Sequence, residues 1–342
     1  MHRYLSLPLL FSALTAHAQE EFTVNDFSPS YYGKIHIEQP TEVFSPGWVA
    51  IYDKKTRKQV IKVESEELAV ELHEGQPKSN VKQLPYGEQS VIISEDFNFD
   101  GRKDLAIEDG QNSCYHGPSF QVYLATATGF QLSEAFTRLA QEYCGMFQID
   151  AKAKKLSVST KSGCCWHEYS EFVVRAGAPF LVKRVEEDLM QFPFGINTEE
   201  TWDGRRMVKK TTRFLATEGG NTQEVCSFPL VENGKTVVLL TTDNTQLYYV
   251  LLRKDETLEF VYPTDGTEEP QPFTLRKSAA GLSLRFSNGA AQYEIREAAD
   301  GHMTVTARAG TKTLNLTAAA KGKKGSLQPL LTAKLENVTV QP

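Results

Sequence analysis

Asp96-Phe97-Asn98-Phe99-Asp100-Gly101-Arg102-Lys103-Asp104-Leu105 is the stretch on which the reading of this chain turns. Side-chain oxygens stand at positions 1, 3 and 5, glycine follows at position 6, and a further carboxylate comes at position 9. Oxygen donors at that spacing, with Gly at the sharp turn, open a cage suited to a hard cation such as Ca2+. The second half departs from an EF-hand, because Ile107 occupies position 12, where a bidentate Glu would stand. Asp96, Asn98, Asp100 and Asp104 are the expected side-chain ligands, with the Arg102 carbonyl as a fifth. Three carboxylates packed together repel, so a divalent cation would lock the turn in a structural role. The bland alternative is a solvated acidic β-turn.

Outward from the loop the pattern is one of short strands. Apolar segments at 91–93 and 105–107 flank it, and segments 32–37, 49–52, 59–63, 68–72, 120–124, 156–159, 171–174 and 180–185 read as strands. One helix is expected over 133–143, where Phe136, Leu139 and Ala140 recur at helical spacing behind Ser133 as N-cap. Between Gln191 and Arg213 the strand pattern lapses, which places a linker at 196–212. The tail resumes as a meander over 236–240, 247–252, 258–261, 282–286, 292–296, 303–307 and 311–316. Asn233-Gly234, Asn288-Gly289 and Asp300-Gly301 are strong hairpin signals, because those pairs accept positive φ. The expected fold is mostly β: an antiparallel domain over 19–195 and a second, barrel-like antiparallel domain over 213–342.

The first eighteen residues combine His2 and Arg3 with an apolar run and Ala16-His17-Ala18, so residues 1–18 are expected to be a signal peptide. No cysteine follows the expected cleavage point, so no lipid acceptor is expected, and no later segment approaches the length of a transmembrane helix. With 37 Lys plus Arg against 43 Asp plus Glu, the chain is a poor general nucleic-acid binder, which needs clustered bases, and its acidic balance favours a basic partner. Export places Cys114, Cys144, Cys164, Cys165 and Cys226 in an oxidising compartment. Two bridges are expected among the first four. Adjacent Cys164 and Cys165 leave their connectivity open, and Cys226 is then unpaired.

Two segments stand out for composition: Asn112-Ser113-Cys114-Tyr115-His116-Gly117-Pro118-Ser119 and Lys161-Ser162-Gly163-Cys164-Cys165-Trp166-His167-Glu168-Tyr169. Both read as exposed loops. A catalytic reading would make Cys165 a nucleophile and His167 its base. Paired cysteines in an oxidising compartment are far more often bridges, and the segment from His167 to Glu171 lacks the second His of a zinc H-E-x-x-H helix. No enzyme is expected.

With these residues in view, the stretch 96–174 resembles a family of periplasmic envelope proteins. The likeness rests on D-F-N-F-D-G-R-K-D-L, C-Y-H-G-P-S-F-Q-V-Y, G-M-F-Q-I-D and K-S-G-C-C-W-H-E-Y. The family includes immunity proteins that neutralise lysozyme-like peptidoglycan hydrolases delivered by type IV secretion systems. It is similar to inhibitors of i-type lysozyme, which are propeller-like with a calcium loop; the loop itself also resembles those of integrin-type propeller blades. The resemblance implies a propeller-like first domain, bound Ca2+, a periplasmic location and inhibition of a hydrolase by a plug. It implies a plug loop at Ser162, Gly163 and Tyr169, with Tyr115 as the next partner-contacting residue. The gap between Gly163 and Tyr169 is wider than in the inhibitors, and the two cysteines are additional. A calcium-stabilised adhesion or scaffold module is the competing expectation.

Overall fold

The computed structural model describes residues 20–84, 86–216, 220–264 and 272–342; the expected signal peptide lies outside them. Strands take 59% of the chain and helix 4%, which makes it mostly β. The chain divides into two compact units. The first comprises the described residues up to Ser162, with His167–Arg184 and Thr201–Met207; the second comprises Gly163–Trp166, Val185–Glu200 and Val208–Pro342.

In the first unit, short turns make each strand pair with its chain neighbour. Glu20–Val24, Tyr31–Ile37, Ser45–Asp53 and Gln59–Leu68 form one antiparallel meander in that order. Period-2 alternation turns Ile35, Ile37, Val49, Ile51, Ile61 and Val63 inward. A second meander runs Ile92–Ile93, Leu105–Ser113, Gly117–Thr126 and Gly129–Leu132. Its two faces serve two cores. Ile92, Leu105 and Ile107 pack with the first meander, whereas Ile93, Ala106, Phe120 and Val122 pack with Phe136, Phe147, Leu156 and Phe172. Strands buried on both faces read as near-continuous apolar runs, which is what Leu105, Ala106 and Ile107 supply. A third meander begins with Gln148–Asp150 and Lys155–Ser162 and continues into Trp166–Arg175.

The second unit is built on two open sheets. One carries Thr222–Pro229, Thr236–Thr242, Gln246–Leu252, Leu258–Tyr262 and Lys324–Gly325; the other carries Phe273–Ser278, Gly281–Asn288, Ala291–Ala298, Met303–Ala309, Lys312–Thr317 and Val338–Gln341. Val237 and Leu239 face the large core shared with Phe273, Leu284, Phe286 and Ile295 of the other sheet, while Val238 and Leu240 pack with Phe194 and Val250. Gly234, Gly289 and Gly301 all take positive φ in their turns, as the Asn-Gly and Asp-Gly signals require.

Among the described residues no closed barrel or propeller is found; every sheet keeps two edges. Several other expectations are corrected. Val338–Gln341 pairs parallel to Phe273–Ser278, a departure from a purely antiparallel tail. Residues 196–212, expected as a linker, are mostly strand: Phe194–Trp202 and Met207–Leu215. The exposed face of Met207–Leu215, with Val208, Lys209, Lys210 and Thr211 all outward, gives no apolar alternation to read. Segment 68–72 is not one strand, because Gln59–Leu68 ends at Leu68 and the Ala69 N–H donates to the Glu108 carboxylate at 3.0 Å. The helix is only Glu134–Leu139, and Ser133 makes no side-chain cap.

Candidate functional site

The acidic loop is anchored from below by Phe97, which is fully buried and meets Phe147 edge-on at 5.3 Å. Phe99 at φ 61° and Gly101 at φ 89° turn the backbone sharply. Asp96 accepts the N–H groups of Asp100 (3.0 Å) and Gly101 (2.8 Å); Asn98 Oδ1 also accepts the Asp100 N–H at 3.0 Å, and Asp100 accepts the Arg102 N–H at 2.9 Å. The oxygens of Asp96 and Asn98 thus converge on one short backbone segment. Asp104 turns the other way, fully buried, accepting the Phe97 N–H at 2.8 Å and the Ala125 N–H at 2.7 Å. Burial pushes its pKa up to about 6, against the lowering effect of those two amides, and the charges of Asp100 and Asp96 add to the rise. Among the described residues no three His, Cys, Asp or Glu side chains gather so as to hold a metal ion.

The donor chemistry nevertheless suits a hard cation. Each carboxylate oxygen has a second lone pair beyond the one given to an N–H, and three carboxylates within nine residues suit a divalent partner. Next along the chain, Glu108 is buried without such a partner. Its Oε1 accepts from Ala69 and, at 2.8 Å, from the Gln111 amide, while Oε2 has no hydrogen-bond partner among the described residues. Burial pushes its pKa up to about 8, against the lowering effect of the Ala69 and Gln111 hydrogen bonds.

A second constellation faces outward. Tyr115 occupies the tight turn Cys114–His116, where Tyr115 (φ 54°) and His116 (φ 58°) are both left-handed, a conformation costing roughly 1–2 kcal/mol per residue. A disulfide from Cys114 to Cys144 and the Gly145 N–H donated to Ser113 Oγ at 3.2 Å pin this turn. Tyr169 stands on Trp166–Arg175, its ring parallel to His167 at 6.5 Å. Tyr86 comes from a turn closed by Gly87 N–H to the Gln83 carbonyl at 2.6 Å. Exposures of 60% for Tyr115, 53% for Tyr86 and 48% for Tyr169 place these rings outside the core. The Lys161 ammonium sits 4.1 Å from the Tyr86 ring centre and 5.0 Å from that of Tyr115. Burial, then the neighbouring phenols of Tyr169 and Tyr115, raise the Tyr86 hydroxyl above its ordinary value and keep it a donor.

The structure therefore brings Tyr115 and Tyr169 of the sequence reading to one surface and adds Tyr86 and Lys161, which sequence reasoning missed. The available signal was weak: an aromatic between Pro85 and Gly87, and a lysine just before Ser162-Gly163. Ser162 and Gly163 are exposed at the end of Lys155–Ser162 and in the turn that follows it, Gly163 at φ 63°. Cys164 bonds to Cys165, closing that turn on itself, and Cys226 is a free, buried thiol.

No family model matches the chain, and no curated protein matches it. Among solved structures it is similar to a Xanthomonas type IV secretion system related protein, at 18% identity and a TM-score of 0.44, over 58% of this chain and 96% of that one.

Proposed function

We propose that this chain is an exported periplasmic protein that binds and blocks a lysozyme-like peptidoglycan hydrolase, and is not itself an enzyme. The observation that carries the reading is the convergence of Tyr86, Tyr115 and Tyr169 on one exposed surface of the first unit. Hydrolases of this kind work with a pair of carboxyl groups flanking the scissile bond. Phenolic hydroxyls donate well to carboxylates, and rigid aromatic rings with little entropy to lose make good interface anchors. On this reading Ser162 and Gly163 belong to the inserted plug, the meanders of the first unit are a propeller-like scaffold, and the second unit is a barrel-like domain. Ca2+ held by Asp96, Asn98, Asp100, Asp104 and the Arg102 carbonyl would stiffen the scaffold.

Two measurements test it. Peptidoglycan turbidity assays with chicken-, goose-, invertebrate- and phage-type lysozymes should find at least one that the full chain inhibits, with Tyr169→Ala losing inhibition at an unchanged melting temperature. Inhibition of none of them would sink the reading and leave an adhesion or scaffold role. For the cation, a chelator should lower the melting temperature and added Ca2+ restore it; identical melts would remove Ca2+ from the proposal.

A further inference from the structure

We infer that Lys161 is the charged anchor of this surface, and that the surface fits an acidic protein cleft presenting a carboxylate; the inference rests on the partner-binding reading above. Some lysines of the first unit pair with glutamates: Lys34 with Glu21, Lys62 with Glu64 at 2.8 Å, Lys82 with Glu95 at 3.2 Å and Lys155 with Glu171 at 2.6 Å. Lys161 has no carboxylate partner among the described residues, in a chain with more acids than bases. Two tyrosine rings hold it instead. Ring faces attract an ammonium through their quadrupoles, worth about 0.5–1 kcal/mol each at an exposed site, but leave its charge uncompensated. The cation is thus positioned and still able to take an anion.

The surroundings select the anion. One ammonium matches the single charge of a carboxylate, whereas phosphate is favoured by the forked donors of a guanidinium. Beside Tyr115, Phe44, 39% exposed, meets His116 edge-on at 5.1 Å, and His116 Nε2 lies 3.5 Å from the Glu67 carboxylate, so the rim mixes aromatic and polar groups. Aromatic anchors around a central charge, able to exclude water as the partner seats, describe a protein interface hot spot and not a polyanion track.

The test uses the full chain with Lys161→Met, which keeps the stem, and Lys161→Arg, which keeps the charge. For whichever of the four lysozyme types the wild type binds, Lys161→Met should weaken affinity about tenfold or more and flatten its salt dependence, while Lys161→Arg stays within about threefold. Affinity within about twofold of wild type in Lys161→Met overturns the inference and leaves the proposed function standing. If no lysozyme binds, the proposed function fails and hexaglutamate decides the inference by 1H–15N shifts. Saturating shifts at residues 86, 115, 161 and 169 that vanish in Lys161→Met uphold it. Absence of such shifts, their persistence in the variant, or equal shifts with inorganic phosphate overturn it.

Discussion

The acidic loop and the tyrosine surface lie in the same unit and both depend on left-handed backbone, yet they use their polar groups in opposite directions. In the loop the carboxylates of Asp96, Asp100 and Asp104 are spent on the chain's own N–H groups, and Glu108 nearby is buried outright. At the surface the phenols and the Lys161 ammonium stand outward, supported from behind by the Cys114–Cys144 bridge. The first arrangement makes stability; the second draws on it. Mutations in the two regions should therefore separate stability from binding.

The largest effect is expected from the bridge behind the surface. Cys114 and Cys144 are 30 residues apart, and closing a loop of that length lowers unfolded-state entropy by about 3–4 kcal/mol in the chain-entropy view. Replacing both with Ser should cost about 3 kcal/mol in denaturant unfolding and also weaken partner binding, since Tyr115 loses its support. A variant as stable as wild type would mean that the turn is held by its hydrogen bonds alone. Asp104→Ala comes next. It strands the Phe97 and Ala125 amides in the core, for a loss of about 2 kcal/mol. Partner affinity of the folded fraction should not change. If affinity falls with stability, the two regions are one functional element and the contrast collapses.

The loop was legible because its chemistry is local: five fixed positions within nine residues announce oxygen donors around a glycine turn. Hairpins at Asn288-Gly289 and Asp300-Gly301 were legible for the same reason, and alternation found Gly281–Asn288 and its neighbours to within a residue or two. What could not be read was long-range. Alternating Leu68, Val70 and Leu72 looks like a strand, but a carboxylate 39 residues away takes the Ala69 N–H and ends the ladder. Tyr86, Tyr115 and Lys161 are brought together by two separate turns and the end of the strand Lys155–Ser162, and no spacing in the chain encodes that meeting. Position alone makes Asp104 an expected ligand, but nothing local announces that its carboxylate is buried against the Phe97 and Ala125 amides.

Glu108 gives a pH-dependent version of the contrast. Its folded-state pKa, up to about 8 through burial, lies above the ordinary 4.5, so the folded state holds a proton that the unfolded chain has released over that interval. The stability this contributes is complete below about pH 4.5 and is lost as pH rises through 8, with a slope of at most about 1.4 kcal/mol per pH unit. Glu108→Gln, which keeps an acceptor for Ala69, should show a flatter curve over that window. Parallel curves would mean that Glu108 is charged in the folded protein.

The smallest effect should be the most telling, because it runs against the usual sign. Tyr115 is exposed and left-handed, so Tyr115→Gly removes roughly 1 kcal/mol of backbone strain and gives up an exposed ring that contacts Lys161. Phe99 in the acidic loop is left-handed too, but it packs against the core of Phe97 and Phe147, so Phe99→Gly trades strain for lost burial and should destabilise. Tyr115→Gly is therefore expected to melt no lower than wild type while partner binding weakens about tenfold. A residue held in a costly conformation, whose ring helps hold Lys161 at the surface, is kept there for binding; if Tyr115→Gly binds as wild type does, that argument fails at its most exposed residue.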